Sequence, residues 1–468
     1  MQRFLVSAAH KSSGKTTVSV GLAAELTRRG LAVQAFKKGP DYIDPMWLTA
    51  ATGRSCRNLD FNLSSPDELR REFARHAARA DVCLVEGNKG LYDGLDLHGN
   101  NSNAALARLL DLPVVLVLDA RGMTRGIAPL ILGYKAFDPS IRLAGVILSR
   151  LGGSRHEAKL RAVIEHYTDV PVLGAMHEDP RLAIAERHIG LTPTNEEGAV
   201  QARIALLAGA VAAQVDLERL LAATASSAPL PAAPPLAPPA RARVRIGIAR
   251  DRAFGFYYPD DLEALERAGA ELHFFDTLRD ARLPRVDGLV IGGGFPEVFM
   301  RELEANVALR GEILAAIAGG MPAYAECGGL MYLARSLSWR GKTCRMVGAI
   351  PGDVVMHERP VGRGYVRLVP GDAHPWRDRA DGPAEIAAHE FHYSSIEGLA
   401  PDTRFAYRVA RGFGVDGRSD GIVVNNLLAA YSHLRSAGSC DWAARFVAFV
   451  CRRAAVRNPA PAPLSAVG

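Results

Sequence analysis

Two groups of residues near opposite ends of the sequence have types and spacings that could do chemistry. Ser12-Ser13-Gly14-Lys15-Thr16-Thr17 has the composition of a loop that holds phosphate. Ala325-Glu326-Cys327-Gly328-Gly329 sets a cysteine among small residues, where a thiolate could attack a substrate. The first group could use a nucleotide, and the second could release ammonia from glutamine. A chain with both is most simply interpreted as a ligase that activates a carboxylate with ATP and aminates it with glutamine nitrogen.

The phosphate loop is a variant of the common pattern, which is Gly, four residues, then Gly-Lys-Ser/Thr. Ala9 stands at the first glycine position, whereas Gly14, Lys15 and Thr16 fit the pattern. Backbone N–H groups and the start of the next helix hold phosphate in such loops. We therefore predict that Gly14, Lys15, Thr16 and Thr17 bind ATP, with Thr16 also on Mg²⁺. A Ser/Gly turn before a surface helix is the alternative.

Two further segments could complete this site. The apolar run Val82-Cys83-Leu84-Val85 ends in Glu86, which predicts a second Mg²⁺ ligand at the end of a strand. Gly90-Leu91-Tyr92-Asp93-Gly94 is either an ordinary loop or a substrate or metal contact through Asp93.

Lysines and carboxylates are concentrated in the segment Lys37-Lys38-Gly39-Pro40-Asp41-Tyr42-Ile43-Asp44-Pro45. Turn chemistry alone would explain the Gly, the Pro and one Asp. In the functional interpretation, Lys37 or Lys38 neutralises phosphoryl oxygens, and Asp41 or Asp44 positions substrate or metal. We assign Lys37 to the ATP site.

The cysteine segment has the arrangement of a nucleophile elbow. Cys327 follows a predicted strand and precedes a helical pattern, and the start of a helix favours a thiolate. The N–H groups of Gly293, Gly294 and Gly328 could form an oxyanion hole. His433 is the candidate base. Because Arg435 stands where a carboxylate would complete a triad, we expect a Cys–His pair with no acidic residue to orient it.

The segment His389-Glu390-Phe391-His392 resembles a metal-binding pattern. We favour structural or active-site hydrogen bonding for these histidines over metal ligation.

Short apolar runs alternate with helical patterns along both halves of the sequence. Runs at 3–9, 82–86, 113–119, 143–149 and 170–175 predict strands, and Thr16 to Arg29 predicts a helix that ends at Gly30. Strands that alternate with helices indicate an α/β fold with a doubly wound, mostly parallel sheet. After residue 243 the pattern restarts, with helical patterns at 259–268 and 305–318 and more strands toward the end.

An Ala/Ser/Pro-rich segment divides the chain. It predicts four parts: an ATP-dependent domain at 1–221, a linker at 222–242, a glutamine-using domain at 243–455 and a disordered tail at 456–468.

Composition restricts the class of protein. The chain has 468 residues with 48% hydrophobic content, enough for two cores. A net charge of +6 without basic–aromatic clusters suits a polyanionic small substrate and argues against nucleic acid. Six scattered cysteines argue against disulfides or a zinc site, and no apolar run is long enough to cross a membrane. We expect a cytoplasmic protein; a homodimer is an expectation that no motif supports.

Several segments together resemble the cobyrinate a,c-diamide synthase family over nearly the whole chain. The resemblance is carried by residues 39–45, 52–54, 57–60, 90–94, 249–251, 256–259, 325–333 and 389–394. It implies a dethiobiotin-synthetase-like domain that phosphorylates the a and c carboxylates of a corrin precursor. It also implies a class I-type glutamine amidotransferase domain that supplies ammonia.

The resemblance also implies roles for individual residues. It assigns Lys15 and Thr16 to ATP and Mg²⁺, Glu86 to Mg²⁺-ATP, and Cys327 and His433 to nucleophile and base. Asp41, Tyr42 and Asp93 become contacts to substrate and to the transferring phosphoryl group.

The chain departs from the family pattern at the predicted synthetase cleft. Leu48 stands where the family usually has His, and Asn88-Lys89 replaces an apolar pair. In these departures the chain resembles homologues of sulfur-oxidising bacteria proposed to amidate sirohaem. Ser149 stands where the family commonly has Asn. Arg435 replaces the second His of the family pattern Tyr-x-His-x-His.

Three rival interpretations stay open. A switch ATPase of the partitioning type carries a lysine five residues before the phosphate-loop lysine, where this chain has His10. Cobyric acid synthase has the same two modules, but the segment from Gly39 to Pro45 favours the a,c enzyme. In the third interpretation the amidotransferase half is inert.

Overall fold

The computed structural model describes residues 2–187, 190–196, 198–225, 230, 233, 235–236, 238–377, 385–438 and 440–457. The chain forms two compact units, Met1–Pro235 and Leu236–Gly468. Their boundary falls inside the segment predicted as a linker. Helix α8 (Leu217–Ala223) extends into the start of that segment. Several linker positions lie outside the described residues. The tail predicted as disordered at 456–468 lies outside them from residue 458 onward, and its residues 456 and 457 belong to the last helix.

A seven-stranded parallel sheet forms the centre of the first unit, in the order β3-β2-β4-β1-β5-β6-β7. Apolar residues occupy nearly every position of the central strands, as expected for a sheet buried on both faces. The strands are β1 Gln2–Ala8, β2 Val33–Lys38, β3 Arg57–Leu59, β4 Val82–Glu86, β5 Val114–Asp119, β6 Leu143–Leu151 and β7 Val172–His177, with a separate ribbon of β8 Glu186–Arg187 and β9 Gly190–Leu191.

Helices cover both faces of this sheet. Helix α1 packs against α2 and α7, whereas α3, α4, α5 and α6 contribute to a core that includes Leu5, Val85 and Leu116. Their bounds are α1 Lys15–Arg28, α2 Ile43–Thr52, α3 Pro66–Ala77, α4 Asn103–Leu110, α5 Ile127–Phe137, α6 Ser154–Tyr167, α7 Val200–Gln214 and α8 Leu217–Ala223.

The second unit contains a nine-stranded mixed sheet in the order β12-β10-β13-β15-β24-β23-β22-β19-β20. The first five strands in this order run parallel, and the remaining pairs are antiparallel. The strands are β10 Val244–Ala249, β12 Ala270–Phe275, β13 Gly288–Ile291, β15 Ala323–Glu326, β19 Gly362–Pro370, β20 Ile386–His392, β22 Arg404–Arg411, β23 Ser419–Val424 and β24 Leu427–Ala430.

Smaller sheets and five helices complete the second unit. Helices α10, α11 and α12 share one core, and α9 and α13 share the other. The remaining strands are β11 Phe254–Phe256, β14 Gly293–Gly294, β16 Ala334–Trp339, β17 Lys342–Arg345, β18 Ile350–Met356 and β21 Ser394–Glu397, and the helices are α9 Pro259–Arg267, α10 Met300–Ala305, α11 Val307–Ala318, α12 Gly328–Leu333 and α13 Trp442–Arg457.

The fold class predicted from the sequence is confirmed, and all five predicted strands of the first half are present. Helix α1 ends before Gly30, whose φ of 87° is the left-handed conformation expected after a helix. The helix expected at 305–318 is present as α11, Val307–Ala318. Asn306 ends α10 and accepts a hydrogen bond from the Leu309 N–H at 3.4 Å, so that its side chain caps α11.

No helix among the described residues combines the length and the apolar character needed to cross a membrane.

Candidate functional sites

The phosphate loop lies between the buried end of β1 and the start of α1. Gly14 immediately precedes the helix with φ 86°, and a Cβ there would lie 2.7 Å from Ser149 Oγ. Glycine is therefore required both by conformation and by space. The loop delivers Lys15 and Thr16 to the first turn of α1, where the free N–H groups of the helix favour an anion.

Lys15 and Thr16 both reach partners at the carboxyl ends of neighbouring strands. Lys15 Nζ donates to the Lys89 carbonyl at 2.8 Å, and Thr16 Oγ1 donates to Glu86 Oε1 at 2.8 Å. Burial, with the nearby ammonium of Lys37, lowers the pKa of Lys15 to about 8. A phosphate at this position would favour the charged form of Lys15.

Lys37 is the central cation of this site. Its Nζ lies 2.5 Å from Asp44 Oδ2, 3.0 Å from Glu86 Oε1 and 3.7 Å from Asp41 Oδ2. Burial alone would lower the pKa of Lys37, but Asp44, Glu86 and Asp41 raise it well above its usual range. The lysine therefore stays charged and holds three carboxylates together.

The residues around Glu86 form an oxygen-rich donor set. The Glu86 side chain is fully buried, and burial raises its pKa while Lys37 opposes the shift. Its Oε2 atom has no hydrogen-bond partner among the residues that the structure describes. Asp44 Oδ2 lies 3.4 Å from Thr16 Oγ1. A hydroxyl and carboxylates are ligands that Mg²⁺ prefers, so these side chains fit that ion.

Asp41 and Tyr42 lie at the start of α2. Asp41 Oδ1 accepts hydrogen bonds from the N–H groups of Ile43 and Asp44 at 2.9 and 3.1 Å. Burial, reinforced by Asp44, raises the pKa of Asp41 to about 7, although Lys37 opposes the shift. The side chain thus combines a structural cap with a carboxyl group that titrates near neutrality.

A buried asparagine that the sequence analysis missed fixes the loop that carries Asp93. Asn103 Nδ2 donates to the carbonyls of Asn88 and Gly90 at 2.6 and 3.0 Å. Asp93 Oδ2 accepts from the Gly90 N–H at 2.8 Å. Asn103 begins α4, and only its position after the helix-capping Ser102 would have drawn attention to it.

The sequence assigned Lys37 to the ATP site and Asp41 to the substrate, with Lys38 and Asp44 as the alternatives, and the structure separates the members of each pair. Lys37 and Lys38 are consecutive on β2 and therefore point to opposite faces of the sheet. Lys38 Nζ instead donates to Asn88 Oδ1 at 3.0 Å. Asp44 lies nearer to Lys37 than Asp41 does, so Asp44 joins the set of candidate residues.

A cavity of about 400 Å³ adjoins the phosphate loop. Gly14 and Thr17 form one end, and Ser149 on β6 lies beside them. The size and position of the cavity fit the base and ribose of a nucleotide whose phosphates lie on the loop. Its other lining residues are Val18, Arg121, Arg150, Met176, His177, Glu178, Asp179, Pro180, Leu182 and Ala183.

Cys327 lies on a strained turn between β15 and α12. Its φ of 45° and ψ of −100° are unusual for a residue with a side chain. The Cys327 N–H donates to the Ala430 carbonyl at 2.8 Å. The strand, turn and helix are those of the predicted nucleophile elbow, which holds the thiol at the start of a helix.

The expectation that no acidic residue orients His433 was wrong. His433 Nδ1 donates to Glu326 Oε2 at 3.2 Å, and Glu326 directly precedes the cysteine. The other oxygen of Glu326 accepts from the Tyr324 hydroxyl at 2.6 Å and from the Leu434 N–H at 2.9 Å. The carboxylate comes from β15 rather than from the segment after His433, which is why position 435 misled the prediction.

These contacts set the charge of His433. Burial alone would lower its pKa, but hydrogen bonds with Cys327 and Glu326 raise the pKa to about 10. The protonated imidazole is therefore strongly favoured beside the cysteine sulfur. Cys327, His433 and Glu326 together have the roles and contacts of a catalytic triad.

His389 and His392 lie on β20 and point to opposite faces of the sheet, which separates them as metal ligands. The His389 ring stacks on that of His433 with centroids 4.9 Å apart. His392 Nδ1 donates to the Ser394 carbonyl at 2.8 Å. The interpretation as structural and active-site contacts fits these positions.

Three glycines approach the triad closely. A Cβ on Gly293 would lie 2.7 Å from His433 Cε1, and one on Gly328 would lie 2.9 Å from the Gly294 nitrogen. A Cβ on Gly294 would lie 1.9 Å from the Ala253 carbonyl oxygen. Glycine at these three positions therefore avoids close contacts with His433 and with neighbouring backbone. Their role as an oxyanion hole stays a prediction.

Arg435 has a separate role in the same unit. Its Nη2 donates to Asp260 Oδ2 at 2.5 Å, and its guanidinium lies 5.1 Å from the ring centroid of Tyr258. This buried ion pair ties the segment after His433 to the start of α9.

Comparisons with known families agree with these two sites. Residues 245–439 match the CobB/CobQ-like glutamine amidotransferase domain. Residues 5–191 match the CobQ/CobB/MinD/ParA nucleotide binding domain. A nucleotide-binding domain and a glutamine amidotransferase domain in one chain define a glutamine-dependent amide ligase that uses ATP.

Relatives extend over almost the full length. The chain is 45% identical to the cobyrinate a,c-diamide synthase of Magnetococcus marinus, covering 98% of this chain and 99% of that protein. It is 42% identical to the protein of that name from Methanosarcina acetivorans, over 98% and 97% of the two chains. A third cobyrinate a,c-diamide synthase, from Archaeoglobus fulgidus, is 40% identical, and the match covers 95% of this chain and 96% of that protein. The chain belongs to the cobyrinate a,c-diamide synthase family.

Proposed function

We propose that this chain amidates the a and c carboxylates of a cyclic tetrapyrrole, with ATP and glutamine as co-substrates. The observation that carries the proposal is that the chain holds two sites, one around Lys37 and Glu86 and one around Cys327 and His433. The names of the full-length relatives support the choice of substrate class.

In the first step, a carboxylate oxygen of the tetrapyrrole attacks the γ-phosphorus of ATP, which forms an acyl phosphate and releases ADP. Gly14, Lys15, Thr16 and Thr17 hold the nucleotide. Lys37 offsets the negative charge on the transferring phosphoryl group, which is then stabilised by fixed positive charge rather than by reorganising water.

Thr16, Glu86 and Asp44 would hold Mg²⁺, which would supply charge neutralisation for the phosphates when bound. Asp41, Tyr42 and Asp93 contact the substrate at the ends of the same strands.

In the second step, Cys327 Sγ attacks the side-chain amide carbon of glutamine. His433 gives a proton to the leaving ammonia, and Glu326 holds the imidazole in the required orientation. The N–H groups of Gly293, Gly294 and Gly328 face the developing oxyanion. Water hydrolyses the resulting thioester, and ammonia displaces phosphate from the acyl phosphate to give the amide.

Sirohaem is the alternative substrate. Asn88 and Lys89 offer polar and cationic groups beside the synthetase site where apolar residues are usual, which favours a different macrocycle or a different pattern of carboxylates. The reaction would be the same, and only the tetrapyrrole would change.

The extents of the four parts of the chain, the homodimer and the cytoplasmic location stay predictions. The family matches at 5–191 and 245–439 fall within the two proposed domains.

The test is mass spectrometry of products after the purified protein is incubated with ATP, Mg²⁺ and glutamine, with cobyrinic acid and sirohaem offered separately. Two amidations of cobyrinic acid would support the first substrate. Amidation of sirohaem alone would assign the second, and no amidation of either would contradict the proposed reaction.

A further inference from the structure

Lys38 is a buried cation that the proposed chemistry does not use. Its side chain is 5% exposed. Within the described part of the chain, its ammonium has one hydrogen-bond acceptor, Asn88 Oδ1 at 3.0 Å, and no ion pair. Burial lowers the pKa of Lys38 to about 8, with Asp60 opposing the shift. The ammonium form therefore still predominates at pH 7.

A mostly buried ammonium whose acceptor is one neutral amide oxygen is costly, because a lysine can donate three hydrogen bonds and keeps its charge here without a paired anion. The carboxylates Asp44 and Glu86 pair with Lys37 on the other face of β2, and Asp60 is the carboxylate whose charge acts on Lys38. An anion beside Lys38 would remove this cost and would gain a charge-assisted hydrogen bond.

The acceptor of Lys38 is held rigidly. The Asn88 N–H donates to Asn103 Oδ1 at 3.2 Å, and the Asn88 carbonyl accepts from Asn103 Nδ2 at 2.6 Å. Because both backbone groups of Asn88 are fixed, its side chain can hold the lysine in one position. Lys89, the next residue, is exposed and adds a second positive charge.

This pair belongs to the strand ends that carry the synthetase site. Lys38 ends β2, and Asn88 follows the end of β4 after Glu86. In parallel α/β sheets, ligands bind at the carboxyl ends of the strands. A large substrate that presents one carboxylate near Lys37 can therefore present another to the opposite face of β2.

We propose that Lys38, positioned by Asn88, binds a carboxylate of the tetrapyrrole that is not itself being amidated. Lys38 is then a specificity-determining residue that selects polycarboxylate macrocycles and orients the reacting carboxylate. The inference rests on the proposed function, because it takes the tetrapyrrole as the ligand.

The test measures equilibrium binding of cobyrinic acid and of sirohaem to the full chain and to the variants Lys38→Met and Lys38→Arg. Loss of one charge-assisted contact predicts affinity lowered about 10- to 100-fold in Lys38→Met. Lys38→Arg keeps the charge and should recover most of the affinity. Affinity for ATP and the rate of glutamine hydrolysis should change less than about twofold in either variant, since neither site contains Lys38.

A pool of singly methylated esters of the bound tetrapyrrole adds a readout that a purely structural lysine would not change. In at least one isomer the methyl group should block the carboxylate that Lys38 binds, so this isomer should bind the parent protein as weakly as the free acid binds Lys38→Met. The affinity of this isomer should be the same for Lys38→Met as for the parent.

Equal affinity of parent and Lys38→Met for the free acid would overturn the inference while leaving the proposed function intact. If no ester isomer behaved in this way, a structural role for Lys38 would replace the binding role. Failure of the parent protein to bind either tetrapyrrole would overturn both proposals.

Discussion

The two candidate sites use similar connections between strand and helix for opposite purposes. In each, a residue with positive φ precedes a helix that follows a buried parallel strand: Gly14 with φ 86°, at the end of a loop after β1, and Cys327 with φ 45°, directly after β15. At Gly14 the side chain must be absent so that backbone N–H groups can approach a phosphate. At Cys327 the residue with positive φ carries a side chain, and the strained turn presents its sulfur.

The sites also differ in how they arrange charge. Around Lys37, carboxylates from the end of β4 and the start of α2 surround one buried ammonium. Around Cys327, one carboxylate orients one imidazole. The arrangement around Lys37 suits the transfer of a charged phosphoryl group from one oxygen to another. The arrangement around Cys327 suits the transfer of one proton from His433 to the leaving ammonia. The comparison predicts that variants of one site leave the chemistry of the other intact.

Cys327→Ala gives the largest effect that the comparison predicts. Removal of the nucleophile should lower glutamine hydrolysis and glutamine-dependent amidation by at least about 10³-fold. Amidation supplied with ammonium salts should stay within about threefold of the parent, because the synthetase site is unchanged. Assays with the two nitrogen sources measure this difference, and equal loss with both would contradict the separation of the sites.

Lys37→Met should give the reverse pattern. Amidation should fall about 10²- to 10³-fold with either nitrogen source, because the transferring phosphoryl group loses a preorganised cation. Glutamine hydrolysis measured without the tetrapyrrole should be retained. Since the change also leaves buried carboxylates without their shared cation, a thermal melt is needed alongside the assay. Normal amidation by a folded variant would remove Lys37 from the proposed mechanism.

Glu326→Gln tests the corrected triad. The amide keeps the size of the side chain but no longer stabilises a charged imidazole, so glutamine hydrolysis should fall about 10- to 100-fold. Tyr324→Phe is the matched control. It removes a neutral donor to Glu326 Oε1 and should cost less than about fivefold. Similar rates for Glu326→Gln and the parent would restore the unassisted Cys–His pair.

Gly14→Ala sharpens the comparison at the phosphate loop. The added Cβ would lie 2.7 Å from Ser149 Oγ, so we expect Kd for ATP to rise about tenfold. Gly30→Ala is the control, because its φ of 87° imposes the same backbone strain with no atom within 4 Å. Equal effects of the two changes on ATP binding, measured by calorimetry, would attribute the loss to strain alone.

The raised pKa of His433 predicts the smallest effect, on stability. A histidine with a pKa of about 10 in the folded protein and 6.5 as its ordinary value stabilises the fold fully below pH 6.5. That contribution is lost as the pH rises toward 10. The Tm of the parent should therefore fall further than that of Glu326→Gln between pH 6.5 and 10. Each kcal/mol of unfolding free energy that the parent loses corresponds to a fall in Tm of about 2–4 °C. Parallel curves would show that Glu326 does not contribute to the raised pKa of His433, which would leave the hydrogen bond with Cys327 as its cause.

The sequence predicted residues that are close together along the chain better than residues that meet in space. The phosphate loop, the strand ending at Glu86 and the nucleophile elbow each follow from local periodicity and turn chemistry. Glu326 was missed as the partner of His433 because the two residues meet only through the pairing of β15 with β24. Lys37 was assigned to the ATP site from the sequence, but its contact with Glu86 depends on the pairing of β2 with β4.

One mass-spectrometric measurement tests most directly whether the two sites act in series on one carboxylate. Tetrapyrrole labelled with ¹⁸O in its carboxyl groups is incubated with ATP and with glutamine labelled with ¹⁵N in its amide. For each amide formed, the proposed mechanism predicts one ¹⁵N in the tetrapyrrole and one ¹⁸O in inorganic phosphate. Amide formation without ¹⁸O in phosphate would contradict the acyl phosphate, and amide without ¹⁵N would contradict the supply of ammonia by Cys327.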